Sequence, residues 1–311
     1  MPQRILAYLI AAAFLCGTAA GQRRGRVAVA STRDEMLVST GWLAKRQELP
    51  QIVVVYVART AADFQAAHIP RSRMILFSDL AVKRGGLTYE LPPVETLVDL
   101  FATAGVSDDS RVVLYDDAGG LLATRAWWTL DYLGRAQNAS LLDGGLQVWR
   151  AEQRPIERGP AVAASKGEFT PRLNPDVLVS LQEMRDYSWQ ATHAPNPGVL
   201  IVDARPREEY DGKASEGVPR AGHIPGAVSL FWRDTLESSD KPEILPAPDL
   251  RKKWMEAGAA PGKKIVIYCK SGVQATHDYF TAKYLGFDPV MYDGSFMEWS
   301  AAADTNVEKQ K

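Results

Sequence analysis

Six consecutive residues, Cys269-Lys270-Ser271-Gly272-Val273-Gln274, carry the strongest chemical signal in the chain. Cysteine attacks as the thiolate, and an ordinary pKa of about 8.5 leaves it mostly protonated at neutral pH. The setting of this cysteine counters that. An apolar, β-branched run, Ile265–Tyr268, ends directly at Cys269, and a helical pattern, Ala275–Leu285, begins just after the loop. A strand-to-helix turn surrounds the sulfur with backbone N–H groups. The helix N-terminus adds partial positive charge and Lys270 adds a full one. All three favour thiolate and attract anions, so the spacing predicts an activated cysteine with Lys270–Gln274 as its binding loop. The bland alternative is a buried structural cysteine, which behaves as a small hydrophobe. A strand-end position beside Lys-Ser-Gly argues against it. Phosphate-ester cleavage through a cysteine needs an Arg six residues on, and that residue is Ala275. So short a loop suits a smaller transferable group, such as a single sulfur atom.

The elements that must hold this loop occur twice. Val53–Arg59 matches Leu200–Arg205, and His68-Ile69-Pro70 matches His223-Ile224-Pro225. Val112–Asp116 matches Val266–Cys269, and Asp143-Gly144-Gly145 through Trp149 matches Asp293-Gly294-Ser295 through Trp299. The offsets are 146, 155, 153 and 150 residues, so the chain is a tandem duplication with small loop differences. Val199–Asp203 and Ile265–Tyr268 are apolar on both faces, as buried parallel strands are. Helical patterns cover Val179–Trp189, Ala247–Ala257 and Ala275–Leu285, the last stopped by Gly286. The expected fold is α/β, each repeat a parallel sheet flanked by helices. The expected boundaries are 21–155 for the first repeat, 156–175 for a linker and 176–311 for the second. In the first repeat Asp116 stands where the second has Cys269. A carboxylate cannot carry sulfur, and a negative charge in an anion cradle is self-defeating, so the first repeat is expected to be catalytically silent. His68 and His223 are expected to pack a turn, His277 to be a surface or packing residue, and Trp127 and Trp128 to be core and interface contacts.

Residues 1–20 have the pattern of a cleaved signal peptide: Arg4, an apolar run over Ile5–Leu15, then Thr18-x-Ala20. Eleven helical residues span about 16 Å, well short of a roughly 30 Å hydrocarbon core. A periplasmic or secreted location and no stable membrane insertion are therefore expected. Of the two cysteines, Cys16 lies in this segment, so Cys269 stands alone in the remainder. A lone thiol in an oxidising compartment is a liability unless it is buried or used. Lys+Arg of 36 against Asp+Glu of 37 leaves no positive excess for a polyanion, so nucleic acid is not expected as a partner. The four histidines form no ligand-spaced cluster, and neither a metal nor a cofactor is implied. A composition of 46% hydrophobic and 23% charged residues excludes wholesale disorder.

The chain resembles the two-domain rhodanese-type sulfurtransferases over nearly all of its length after residue 20. The residues that carry the resemblance are Asp203-Ala204-Arg205, Gly222–Ala227, the Cys269–Gln274 loop and Asp293-Gly294-Ser295…Trp299. In the first repeat they are Tyr115-Asp116…Arg125-Ala126-Trp127-Trp128 and Asp143-Gly144-Gly145…Trp149. The family implies a double displacement in which Cys269 takes the outer sulfur of a small-molecule donor, becomes a persulfide, and passes the sulfur to cyanide or a thiol. Thiosulfate members resemble Cys-Arg-Lys-Gly-Val-Thr in the loop, and 3-mercaptopyruvate members resemble Cys-Gly-Ser-Gly-Val-Thr. This loop is a hybrid. Lys270 suits a compact dianion and Ser271 matches the second pattern; the reading favours thiosulfate, with 3-mercaptopyruvate as the alternative. Both patterns place a substrate-binding Arg where this chain has Glu209, and Arg205, Arg207 or Arg220 is expected to supply the missing charge. The departures at Glu209 and Gln274 also leave open a non-catalytic persulfide carrier or sulfide-sensing module.

Overall fold

In the computed structural model, residues 33–161 and 163–310 are described; the expected signal segment lies outside them. Both repeats fall within one compact unit. The first contains, in order, α1 (Arg33–Met36), β1 (Leu37–Val38), α2 (Thr40–Ala44), β2 (Ile52–Ala58), α3 (Ala61–Ala66), β3 (Arg73–Leu76), β4 (Val82–Arg84), β5 (Leu87–Glu90), α4 (Val94–Thr103), β6 (Arg111–Tyr115), α5 (Leu121–Tyr132), β7 (Ala139–Leu142) and α6 (Gly145–Ala151). The second contains α7 (Leu181–His193), β8 (Val199–Asp203), α8 (Arg207–Tyr210), β9 (Ala227–Ser229), α9 (Ala247–Glu256), β10 (Lys264–Tyr268), α10 (Gln274–Tyr284), β11 (Pro289–Met291) and α11 (Ser295–Ala301).

Each repeat builds one parallel sheet. The strand orders are β1-β7-β6-β2-β3 and β11-β10-β8-β9. The position that β1 fills beside β7 has only a single bridge in the second sheet, Leu178 to Met291. All five residues of β8 are buried, as its unbroken apolar run requires. α7 begins later than its pattern predicts because Ser180 caps it, accepting from Glu183 N while the Glu183 side chain accepts from Ser180 N. α10 ends before Gly286, whose φ of +84° continues the chain in the left-handed region. The expected linker is not a free tether. His68 and Glu157 form a two-way backbone bridge, and Gly167 N–H donates to Ala102 O. Phe169 is buried against Phe101.

The repeats meet along α5 and α10. Trp127 packs edge-on to Phe280 with ring centroids 5.0 Å apart, and Thr124 and Thr276 hydroxyls lie 3.2 Å apart. Tyr279 donates to Asp131 at 2.7 Å. The Cys269–Gln274 loop therefore opens a helix that is itself part of the interface. No described helix is long and apolar enough to cross a membrane.

Candidate active site

β8 and β10 are neighbours in the second sheet, and the chain leaves their carboxyl ends on diverging paths to β9 and α10. Such a switch point leaves a crevice at the sheet's carboxyl edge. Cys269 sits there, at the end of β10. Its N–H donates to Ser295 Oγ at 3.3 Å, and its carbonyl accepts from Phe296 N at 2.9 Å, which ties the strand end to α11. The N–H groups of Ala275, Ser271 and Gly272 surround the thiol and pull its pKa down. Burial acts the other way and is larger. Cys269 is 1% exposed, and loss of water holds the thiol above its ordinary value, with the Asp203 charge adding to the effect. The expectation of a resting thiolate is thereby corrected: the cradle is present, but desolvation outweighs it.

Lys270 is one-third exposed, and its ammonium lies 3.5 Å from Glu209 Oε1. The other oxygen, Glu209 Oε2, is buried without a hydrogen-bond partner and is 3.8 Å from Arg205. The three arginines proposed to replace the missing cation have other partners. Arg205 is buried and holds Asp203 through Nε and Nη2, with Gly222 O as a further acceptor. Arg207 pairs with Asp211 at 2.8 Å and reaches Gln310. Arg220 donates to the carbonyls of Trp299, Ser300, Ala302 and Thr305, pinning the chain after α11. Each guanidinium is thus engaged in the fold, Arg207 from a side chain that is more than half exposed. Val273 and Gln274 form the loop's exit, Val273 as the residue before α10 and Gln274 as its first.

His223 packs as expected. Its ring stacks on Tyr210 at 3.8 Å and Nδ1 meets Tyr210 O at 2.8 Å, and His68 repeats the arrangement with Phe64. His277 is fully buried beside Trp232 and Thr235, and burial pushes its pKa down to about 3, so it stays neutral.

Asp116 corrects one argument made for it, that a negative charge is self-defeating in the cradle. Its carboxylate accepts from the N–H groups of Ala118, Gly120, Leu122 and Ala123 at 2.7–2.9 Å. The negative charge is not at odds with the cradle; it fills it, although burial still raises the carboxyl's pKa.

Two contributors escaped the sequence reading. Ser295 receives the Cys269 N–H, and its motif matches across the repeats without revealing that contact. Arg125, on α5 of the first repeat, donates to Gly272 O at 3.0 Å and to Asp293 Oδ1 at 2.6 Å. Asp278, at the position matching Arg125 by the Asp116-to-Cys269 offset, is fully buried with neither carboxyl oxygen hydrogen-bonded. Burial, Asp234 and Asp203 push its carboxyl well above the usual range.

A Rhodanese-like domain model matches residues 39–152 and again residues 186–302. The chain belongs to the rhodanese-like family. It is 34% identical to a probable 3-mercaptopyruvate sulfurtransferase of Pseudomonas aeruginosa, covering 85% of this chain and 94% of that one. It is 33% identical to a thiosulfate sulfurtransferase of Azotobacter vinelandii, covering 88% and 97%. The crystal structure of a 3-mercaptopyruvate sulfotransferase from Escherichia coli aligns with a TM-score of 0.73 at 27% identity, over 84% of this chain and 98% of that one. The chain is a two-domain rhodanese sulfurtransferase.

Proposed function

We propose that Cys269 is the nucleophile and that the donor is 3-mercaptopyruvate in preference to thiosulfate. The Cys269 thiol first loses its proton to solvent; the thiolate attacks the donor sulfur, and the C–S bond breaks to leave the enolate of pyruvate. The enolate takes a proton and departs as pyruvate, while Cys269 keeps the sulfur as S–SH. Loss of the persulfide proton gives S–S⁻. Cyanide attacks the outer sulfur, thiocyanate leaves, and the Cys269 thiolate returns; a thiol acceptor leaves as its own persulfide. The N–H groups of Ser271, Gly272 and Ala275 line the position where this charge develops.

The observation that carries the donor choice is the Lys270–Glu209 pair. Thiosulfate presents two negative charges and depends on a free cation beside the sulfur. A carboxylate at 3.5 Å offsets the one that Lys270 carries. 3-Mercaptopyruvate has one negative charge, and its reactive sulfur is remote from that charge. In steady-state assays with cyanide as acceptor, kcat/KM is expected to be higher for 3-mercaptopyruvate. Glu209→Gln frees Lys270 and should raise kcat/KM for thiosulfate by about tenfold, the scale of one charge-assisted contact. A wild type that prefers thiosulfate, with Glu209→Gln without effect on it, would return the choice to thiosulfate.

We also propose export, on the pattern of residues 4–20 alone. N-terminal sequencing of protein from the extracytoplasmic fraction should begin near Gly21; intact Met1 in a membrane fraction would overturn this.

A further inference from the structure

Arg125 is an expensive residue to place where it is. Its side chain is 0% exposed, and a buried guanidinium destabilises a fold unless its donors are answered. Most of them are, and the acceptors are not random. Nη1 donates to Gly272 O at 3.0 Å and to Asp293 Oδ1 at 2.6 Å. Nη2 donates to Tyr89 O at 2.5 Å, and the guanidinium lies over the Trp128 ring at 4.6 Å. Nε finds no partner. One side chain from the first repeat thus joins three points: the end of β5, the turn before α11, and the loop that contains Cys269.

The contact with Gly272 bears on the chemistry. Gly272 has φ +79°, and its own N–H is one of those around the thiol. In a trans peptide the C=O and the next N–H point in opposite directions. Fixing Gly272 O toward Arg125 turns the Val273 N–H away from Arg125 and sets the orientation of this part of the ring. The approach is close enough to require glycine. A Cβ at residue 272 would lie 2.3 Å from Asp293 Oδ1 and 3.2 Å from Arg125 Nη1. The second repeat does not return the favour, because the position matching Arg125 is Asp278, whose carboxyl has no hydrogen-bond partner.

We infer that Arg125 is a positioning residue for sulfur transfer, through which the repeat without a nucleophile holds the Cys269 loop in its anion-stabilising shape. The inference rests on Cys269 being the nucleophile, and the experiment separates the two. The full chain is prepared as wild type, Arg125→Met, Arg125→Lys and Asp131→Asn. The last weakens the same interface on the same helix, at the Tyr279 hydrogen bond, without touching the loop. Three quantities are measured: melting temperature, the pH dependence of Cys269 alkylation by iodoacetamide, and kcat and KM with 3-mercaptopyruvate and cyanide.

Arg125→Met is expected to raise the alkylation midpoint by about one pH unit, because the N–H groups no longer converge on the sulfur. It should lower kcat by about tenfold to a hundredfold, with a smaller change in KM. Arg125→Lys should fall between this and wild type, since one ammonium cannot reach Gly272 O, Asp293 and Tyr89 O together. Asp131→Asn should lower the melting temperature and leave the alkylation midpoint alone. Wild-type alkylation and kcat in the Arg125 variants would overturn the inference, as would an equal shift in Asp131→Asn. If Arg125→Met does not fold, Arg125→Lys decides on the same readouts. A wild type that forms no persulfide at Cys269 would instead overturn the nucleophile assignment.

Discussion

Cys269→Ser is expected to abolish sulfur transfer, with turnover falling by about four orders of magnitude or more. The reason is chemical. A serine hydroxyl is not ionised at neutral pH, and oxygen in its place cannot form the S–S bond that stores the sulfur between the two half-reactions. The substitution is nearly isosteric in a fully buried position, so the loop should remain folded and the loss should appear without a large change in melting temperature. Mass spectrometry after incubation with donor should show one added sulfur, about 32 Da, on wild type and none on the variant. Peptide mapping separates residue 269 from Cys16, the only other cysteine in the chain. Sulfur found on the variant, or turnover within tenfold of wild type, would move the nucleophile elsewhere.

The second large effect belongs to Gly272. At φ +79° any L side chain costs about 1–2 kcal/mol before packing is considered. Packing then adds a collision: the new Cβ would sit 2.3 Å from Asp293 Oδ1 and 2.8 Å from Asp293 O. Either the loop shifts or the Arg125–Asp293 pair opens. Gly272→Ala is expected to destabilise the fold by about 3 kcal/mol and to lower kcat by about a hundredfold. Gly262 supplies the contrast. Its φ is +80°, but nothing lies within 4 Å of its Cβ position. Gly262→Ala should therefore show the backbone cost alone and leave kcat near wild type. Equal melting temperatures and equal kcat for the two alanine variants would mean that the close approach at Gly272 has no role in the chemistry.

What could be read from the sequence was whatever is local. β8 spans the residues its apolar run marks, and β10 and α10 each begin one residue earlier than their patterns. The loop between β10 and α10 follows from these two elements. The repeat was legible because its four ordered matches survive loop differences. The arginines were not. Arg220 bonds to carbonyls 79–85 residues further along, and Arg125 reaches acceptors 147 and 168 residues away. No spacing rule reports such contacts. The Arg205–Asp203 pair is two residues apart and was within reach of a local reading. The thiol shows a different limit. Its N–H donors and neighbouring charge follow from the turn, whereas its burial depends on the whole domain closing over it, and burial has the larger effect. The Asp116 carboxylate shows a related limit: its charge is plain in the sequence, whereas the four N–H groups it answers converge only once the turn has folded.

Those four contacts show how the matching turn of the second repeat differs: of its corresponding residues, Ser271 and Ala275 donate toward Cys269, while the Thr276 N–H is taken by Val273 O at 3.2 Å. Under the Asp116-to-Cys269 offset, the donors Ala118, Gly120, Leu122 and Ala123 correspond to Ser271, Val273, Ala275 and Thr276. A persulfide places its charge one atom beyond the cysteine sulfur, much as a carboxylate places its oxygens one atom beyond Cβ and Cγ. In one chain, then, two matching turns are seen, one with four N–H groups answered by a built-in carboxylate and one with three gathered around a cysteine sulfur.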